Sequence, residues 1–475
     1  MKVYLPFLCI LLAFGCQPSL SAQTRQRAVI LTDIENEPDD TQSLVRLLLY
    51  SDEIDIRGLI ATTSTHMRHE VHPESIQKVI DGYEAVRPNL LLHDSSFPQA
   101  DLLRSVVKKG LPVYGKAGIG KSCDSEGSNW IIQELERHDS RPLWICAWGG
   151  TNVLAQALYE LRCTKSPQEL SRLIGKLRVY TISDQDDTGY WIRRNFPRLF
   201  YIVSPGGYGN ATWSGMFQTT EGHNNEEVSN SWIARNIQQG HGPLGACYPD
   251  VAYGMEGDTP SWLCLIPNGL NAPEHPNWGG WGGRYEYYQP RLADCDPNGF
   301  NGHVTIEAET HAIWTNAKDS YSPYVSCEYG CAVKPDTTCY QSPQVSVWRW
   351  REDVQNDFAA RMDWCVKSYG SANHAPKAKL SHANELVVKG GEQITLDASP
   401  STDPDGDTLS FLWFCYPEVG SGRQVFTAGA PNMRRVSVVA PHVKQPEDIH
   451  FILRVTDKGI PRLSRYQRVI LHVKP

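Results

Sequence analysis

Between residue 28 and about residue 210 the chain alternates short apolar, β-rich runs with segments of helical periodicity, and this alternation restricts its fold more than any other feature. "RAVILTD" reads as a strand, "PDDTQSLVRLLLYS" as a helix with Pro38 near its first turn, and "IDIRGLIATTS" as a second strand. A helix over "PESIQKVIDGYEAVRP" is expected to stop at Pro88, because proline cannot continue the hydrogen-bond ladder. The helix "GSNWIIQELERH" leads into the strand "PLWICAW", the helix "TNVLAQALYELR" into the strand "KLRVYTIS", and the helix "TGYWIRRNFP" into the strand "LFYIVS". Strands regularly separated by helices imply a mostly parallel sheet covered by helices. The loops at the carboxyl ends of its strands then share one rim, where such folds bind ligands.

The first of those loops is crowded with acids. Asp33 ends the strand, Glu35 and Glu37 follow, and Asp39 and Asp40 open the next helix. A helix N-terminus welcomes one or two carboxylates, which leaves Asp33 unexplained. Carboxylates so close repel one another unless a cation lies between them, and hard oxygen donors in irregular geometry favour Ca²⁺.

With 475 residues the chain has room for two or three domains. The net charge of -8 argues against a nucleic-acid partner, which rewards a basic face. The 14 Trp and 21 Tyr are either platforms for sugar rings or core packing. Residues 1–22 have the form of a signal peptide: Lys2, the apolar run "VYLPFLCILLAF", and the small-residue site "SLSA" before Gln23. "LAFGC" also has the look of a weak lipobox, with Cys16 as the lipid-bearing residue. A secreted or periplasmic protein without a transmembrane segment is expected. Cys327, Cys331 and Cys339 are the candidate disulfide partners, and Cys146 reads as a buried thiol.

From about 212 to 370 the pattern is irregular and rich in Gly, Pro, Trp and His, as loops of a site or an interface are. From 371 to 475 period-two alternation returns with regularly spaced turns, which predicts a β-sandwich. Its "STDPDGDTLSFLW" resembles the turn and strand of the polycystic-kidney-disease type of immunoglobulin-like module. We read Asp403, Asp405 and Asp407 there as a tight hairpin rather than a Ca²⁺ loop.

Several motifs together resemble the nucleoside hydrolase family. "LTDIENEPDDTQSL" stands where that family has an Asp-rich loop leading into a helix, and "DSEGSNWIIQELE" and "CAWGGTNVLAQAL" are similar to its later helix and Gly-rich turn. "EPDDTQSLVRLLLYS", "ISDQDDTGYWIRRNFP" and "MEGDTPSWLCLIPNGL" are more similar still to a subgroup of secreted bacterial proteins catalogued as cellulose-binding, which add a C-terminal β-domain. The resemblance implies a domain over 23–370 with one Ca²⁺, held by Asp33, Asp40, a backbone carbonyl near Ala147, and Asp258. It also implies glycoside or nucleoside hydrolysis, in which the ion activates water and Asp33 takes its proton. Asp186 and Asp187 are the candidate acids for the leaving group, with a helix N-cap as the alternative reading. Asp184, Glu256 and His66 are candidate sugar contacts; Asn152 joins them, although its side chain also reads as tying down the turn after Gly150.

The chain departs from nucleoside hydrolases in three places. "TTSTHM" replaces an Asn after the second strand, the family's "E-F-N" sugar motif has no counterpart, and the base-recognition loops are unrecognisable. A polysaccharide or oligosaccharide is therefore the expected partner. The leading expectation is a Ca²⁺-dependent glycoside hydrolase. A non-catalytic cellulose- or carbohydrate-binding protein is the alternative, and an extracellular nucleosidase is a third.

Overall fold

The computed structural model describes residues 25–221, 224–327 and 332–475. The leader over 1–22, Cys16 and Cys331 lie outside these residues. The expected architecture is observed: a mostly parallel sheet with helices, followed by a β-sandwich. Eight strands form the large sheet: β1 (Gln26–Thr32), β2 (Ile54–Ala61), β3 (Val107–Lys109), β4 (Leu143–Ala147), β5 (Leu177–Thr181), β6 (Phe200–Val203), β7 (Tyr285–Tyr288) and β8 (Ile313–Asn316). Their order is β3-β2-β1-β4-β5-β6-β8-β7, and all pair in parallel except β7 with β8.

Register decides where the loops converge. Thr32 pairs with Ala61, Leu31 with Ala147, and Ala147 with Thr181. The segments after β1, β2, β4 and β5 therefore leave the sheet side by side. The strands are buried on both faces, as their near-continuous apolar runs require. They are covered by helices α1 (Pro38–Leu48), α2 (Pro73–His93), α3 (Ala100–Ser105), α4 (Glu126–Glu136), α5 (Asn152–Thr164), α6 (Pro167–Lys176) and α7 (Thr188–Asn195).

Helix α2 does not stop at Pro88 but runs to His93. Contacts beyond the proline hold the last turn: Asn89 donates to the Cys365 carbonyl at 2.9 Å, Leu90 is fully buried, and the His93 ring stacks on Trp364 at 5.1 Å. Most tryptophans belong to the core; Trp144, Trp148, Trp262, Trp281, Trp348 and Trp413 are all buried. Cys146 is buried as expected, whereas Cys327 and Cys339 carry free thiols.

Short hairpins follow, pairing β9 (Asp319–Tyr321) with β12 (Tyr340–Ser342), and β10 (Tyr324–Ser326) with β11 (Val333–Pro335). The sandwich has a four-stranded sheet of β13 (Glu385–Lys389), β15 (Ser410–Gly420), β18 (Glu447–Thr456) and β19 (Ser464–Lys474), in the order β13-β19-β18-β15. Its second sheet joins β14 (Gln393–Asp397), β16 (Thr427–Ala428) and β17 (Arg435–Val439), and the two share a core around Trp413, Phe451 and Leu471. The Asp403 segment is not a hairpin, since it connects β14 and β15 of different sheets. Asp403 instead accepts from the Asp405 and Asp407 amides, and Asp405 binds the backbone and ring of His374.

Carboxylates of the helix Arg351–Trp364 fasten the sandwich to the large sheet's domain. Asp353 accepts from Arg454, Ser464 and Tyr466, and Asp357 from Arg465 and, on the other side, Tyr50. Replacing Asp353 by alanine would leave the buried Tyr466 phenol unpaired and take the carboxylate from the half-buried Arg454, and should cost about 1–3 kcal/mol in urea unfolding. Calorimetry of the wild-type chain should show the two domains melting in a single transition.

Candidate functional site

The acidic loop lies at the mouth of β1, and its shape is set by local geometry. Glu35 takes a left-handed conformation with φ of 84°, the Asn36 amide donates to the Asp33 carbonyl at 3.0 Å, and Pro38 starts α1. This tight reversal sets the first turn of α1 directly over the end of the strand. The Thr32 hydroxyl donates to Asp40, joining strand to helix. The two glycines after β4 also make room for acids: a Cβ on Gly149 would lie 2.5 Å from Asp33 Oδ1, and one on Gly150 2.5 Å from Asp186 Oδ2.

A third segment completes the cluster. Asp258 follows Gly257, and oxygens of Asp39, Asp40 and Asp258 lie within 4.8 Å of one another. Asp33 raises the pKa of all three, so it belongs to the same electrostatic group. Burial is the main cause in each case and mutual repulsion the second: Asp39 is pushed up to about 8, Asp40 and Asp258 well above the usual carboxylate range. Burial likewise raises Asp33, with Ser64 and Asn36 partly opposing it. Neither Asp33 oxygen has a partner at hydrogen-bonding geometry, nor does Asp258 Oδ2. An all-oxygen, anionic donor set of this kind suits a hard divalent cation.

The carboxylates face a cavity of about 460 Å³. Tyr208, Trp213, Phe217, Tyr253 and Phe300 wall it, with Asn36, Glu37, His66 and Gln185 among the polar lining. The rings pack edge to face: Tyr208 lies 5.4 Å from Trp213 and 5.6 Å from Phe300. Trp213 is fixed by its indole N–H donating to Ser183 Oγ at 2.9 Å, while Tyr253 and Phe300 are exposed at the rim. The buried Tyr208 hydroxyl and Gln185 Oε1 have no hydrogen-bond partner among the described residues. Burial raises the Glu37 carboxyl, with the His66 charge opposing it, and lowers His66, with Glu37 opposing.

Of the residues singled out in the sequence, Asp33, Asp40, Asp258 and His66 meet at this cavity. The others do not. Asp184 is held by both guanidinium nitrogens of Arg193 at 2.8 Å, a pair that also engages Glu309. Asp186 accepts from the Asn152 amide at 3.0 Å and the Thr188 amide at 2.8 Å, the helix-capping alternative; burial raises it to about 6. Asp187 turns towards Lys116, whose amide donates to it at 2.8 Å. Asn152 has its side-chain amide engaged by Thr62, Leu111 and Val113, so it is a turn anchor. The Ala147 carbonyl accepts the Ile182 amide in the sheet and does not line the cavity.

Glu256 is also a scaffold residue rather than a sugar contact. It is fully buried against Arg46 at 2.6 Å, and Tyr248 and Thr259 donate to it as well. That pair fastens the segment carrying Asp258 to the helix carrying Asp39 and Asp40. Gln185 and Tyr208 carry no mark in the sequence, whereas Trp213, Phe217, Tyr253 and Phe300 fall in the irregular stretch from about 212 to 370 that reads as loops of a site or an interface.

These features define a class: a nucleoside-hydrolase-like α/β domain with an acidic, aromatic-walled pocket at the carboxyl ends of its strands, joined to a β-sandwich. The chain belongs to the family described as cellulose-binding Sde182, nucleoside hydrolase-like domain, which matches residues 27–285; the C-terminal domain of cellulose-binding protein Sde0182 matches residues 393–473. A solved structure from Saccharophagus degradans, a nucleoside hydrolase-related hypothetical protein associated with carbohydrate metabolism, is 32% identical with a TM-score of 0.77. That match covers 95% of this chain and 100% of that one. The effector protein XOO4466 is 9% identical over 62% of this chain and 88% of its own, with a TM-score of 0.33. The PKD domain from KIAA 1837 protein is 21% identical over 21% of this chain and 89% of its own, with a TM-score of 0.16. No curated protein matches the chain.

The cluster has a pH signature. Asp39 has a folded-state pKa of about 8 against an ordinary 3.8, so its proton-linked stability is complete below the lower value and lost as pH rises through the upper one. In chelator, wild type and Asp39→Asn should melt together near the lower value, and the variant should become progressively more stable towards the upper one. A difference independent of pH would remove Asp39 from the cluster.

Proposed function

We propose that the protein is a secreted or periplasmic, Ca²⁺-dependent glycoside hydrolase acting on plant or microbial polysaccharide fragments. The observation that carries this reading is the cluster of buried carboxylates without a countercharge among the described residues, at the floor of an aromatic-walled cavity. The family's description as cellulose-binding and the Saccharophagus degradans relative's association with carbohydrate metabolism support a saccharide partner. Asp39, Asp40 and Asp258 would hold the ion, with Asp33 beside them. When bound, the ion would supply positive charge that acidifies water and orients sugar hydroxyls.

The chain's own residues account for the rest. Asp33, in the cavity lining beside Asp39, Asp40 and Asp258, would be the group to accept a proton from water. Trp213, Tyr208 and Phe217 exclude bulk water and offer flat faces to a sugar ring. Asn36, Glu37 and His66 in the lining offer polar groups to sugar hydroxyls. With Asp186 and Asp187 engaged elsewhere, Glu37 and His66 are the groups left at the rim to protonate a leaving oxygen.

A second reading has a specific observation in its favour. Both carboxylates expected to serve as acids are committed to structure, as a site that binds sugar without cleaving it would allow. Sugar release by residues 23–475 separates the two, using nucleosides, aryl furanosides and pyranosides, and plant oligosaccharides. Release that needs Ca²⁺ and falls at least about a hundredfold in Asp40→Asn fits the hydrolase. No release from any substrate, with oligosaccharide binding retained, would move the assignment to a binding protein. Independently, Ca²⁺ at about 100 times its Kd should stabilise the wild type by about 2.7 kcal/mol and leave Asp40→Asn nearly unmoved.

A further inference from the structure

The seam between the two domains holds a hydrogen-bonded row of polar groups remote from the acidic cavity's lining. His93 lies in the last turn of α2, and His374 sits in the segment that leads from the helix Arg351–Trp364 into the sandwich. His93 Nδ1 and His374 Nε2 are 2.9 Å apart. The other ring nitrogen of His93 lies 3.0 Å from the Lys367 carbonyl oxygen. That of His374 lies 3.0 Å from Asp405 Oδ1, in the loop between β14 and β15. Both imidazoles stack on aromatic rings: His374 on Tyr369 at 3.9 Å and Trp364 at 5.2 Å, and His93 on Trp364 at 5.1 Å.

Counting protons fixes the charge of this row. One end is a carbonyl and the other a carboxylate that already takes the His374 amide at 2.7 Å, so both ends only accept. Three contacts therefore need three ring protons, and two neutral imidazoles carry only two. With two, one contact sets lone pair against lone pair. With four, the central contact sets N–H against N–H. One imidazole and one imidazolium together satisfy all three. Burial lowers the His93 pKa from its ordinary 6.5, with the Lys367 carbonyl and Asp405 opposing. His93 is thus the neutral ring, and the extra proton falls to His374, beside Asp405 and against the Tyr369 face.

We propose that His93 and His374 share one proton that fastens the sandwich to the end of α2, so that the docking of the two domains weakens as pH rises through the histidine range. The surrounding charges are engaged with one another and leave Asp405 as the counter-ion. Lys367 Nζ turns to Asp363 at 2.8 Å, and Asp363 also faces His241 at 3.3 Å. Arg361, whose guanidinium lies 5.0 Å from the Trp364 ring, pairs with Asp52 at 2.8 Å and Glu53 at 2.7 Å. Asp457 accepts from Asn373 at 3.1 Å, Asp403 from the Asp405 and Asp407 amides, and Asp94 from the Ser96 amide. Removing the shared proton leaves the row one hydrogen bond short, with two acceptors face to face at the junction.

The test compares residues 23–475 with His93→Gln, melted in chelator at about pH 6.5 and about pH 9. His93 is half-buried and glutamine is of similar reach, so the variant should fold. Other pH-linked groups, the acidic cluster included, are common to both proteins and cancel in the difference. A shared proton makes the wild type's advantage in Tm largest at the lower pH and smaller at the higher one. A His93 titrating alone, with burial holding its pKa down, gives the opposite sign, because its contribution is lost as pH falls. An advantage that grows with pH, or that ignores pH, overturns the shared proton. A second measurement needs no variant. Lys367, whose carbonyl takes the His93 proton, is a trypsin site. Cleavage there, corrected for the rate of trypsin on a free peptide, should rise about fivefold between the two pH values in the wild type. A flat rate overturns the proposal. Neither readout involves a saccharide, so the hydrolase reading stands or falls separately.

Discussion

Burying several carboxylates together, with no arginine or lysine among them, is the constraint on which the rest of this molecule turns. Elsewhere most buried acids are paired with guanidinium groups: Glu256 with Arg46 at 2.6 Å, Asp184 with Arg193 and Asp52 with Arg361 at 2.8 Å, Glu227 with Arg351 at 2.9 Å, and Glu134 with Arg27 at 3.0 Å. The group of Asp33, Asp39, Asp40 and Asp258 has no such partner. Two like charges about 4 Å apart repel by roughly 4 kcal/mol at an effective dielectric of about 20. A hydrogen bond such as that from Thr32 returns only about 1 kcal/mol. Contacts within the chain cannot balance that repulsion, so the cluster must either hold protons or hold a cation.

A cluster under that repulsion keeps its shape only if its three segments are held from outside. The carboxyl end of β1 is tied to its neighbours by the sheet register, and Gly149 lets the next strand's turn approach Asp33. The first turn of α1 is held by Thr32. The Asp258 segment is held through Glu256 and Arg46, and Arg46 also donates to the Val354 carbonyl and to Gln355 in the helix that carries Asp353 and Asp357. That helix in turn grips the sandwich. Fixing the cluster and docking the C-terminal domain are thus parts of one network, which gives the sandwich a structural part in the site although it contributes no residue to the cavity.

How much of this could be read from the sequence depended on how local the cause was. Strand and helix periodicity is local, and the parallel sheet followed. The acidic loop is local too, so the residue pattern alone was enough to set Asp33 and Asp40 at a rim. Asp184, Asp186, Asp187 and Glu256 could not be separated from them, because an acid at a strand's end looks the same whether it faces a ligand or a partner. Arg46 lies some two hundred residues from Glu256 in sequence, and nothing near Glu256 announces it. The Ala147 carbonyl, expected near the ion, accepts the Ile182 amide, an engagement set by sheet register rather than by any residue type near it. Helix α2 passed Pro88 because contacts made by Asn89, Leu90 and His93 outweigh one missing backbone bond.

Likeness of fold says less about the substrate than the walls of the cavity do. The sheet and acidic loop are shared with nucleoside-hydrolase-like proteins, but the surface a ligand would touch comes from segments without periodicity: Tyr208, Trp213 and Phe217 just after β6, Tyr253 before Asp258, and Phe300 between β7 and β8. Such segments can change without disturbing the register that gathers the carboxylates. Under the proposed reading, a cation at the floor would favour hydroxyl-rich ligands in general, whereas aromatic walls would select shape and length. The exposed rings of Tyr253 and Phe300 continue that surface out of the cavity, so a ligand longer than one ring would gain contacts there. A floor fixed by the sheet register and walls carried on irregular segments would let one scaffold keep its acidic cluster while receiving ligands of different shape.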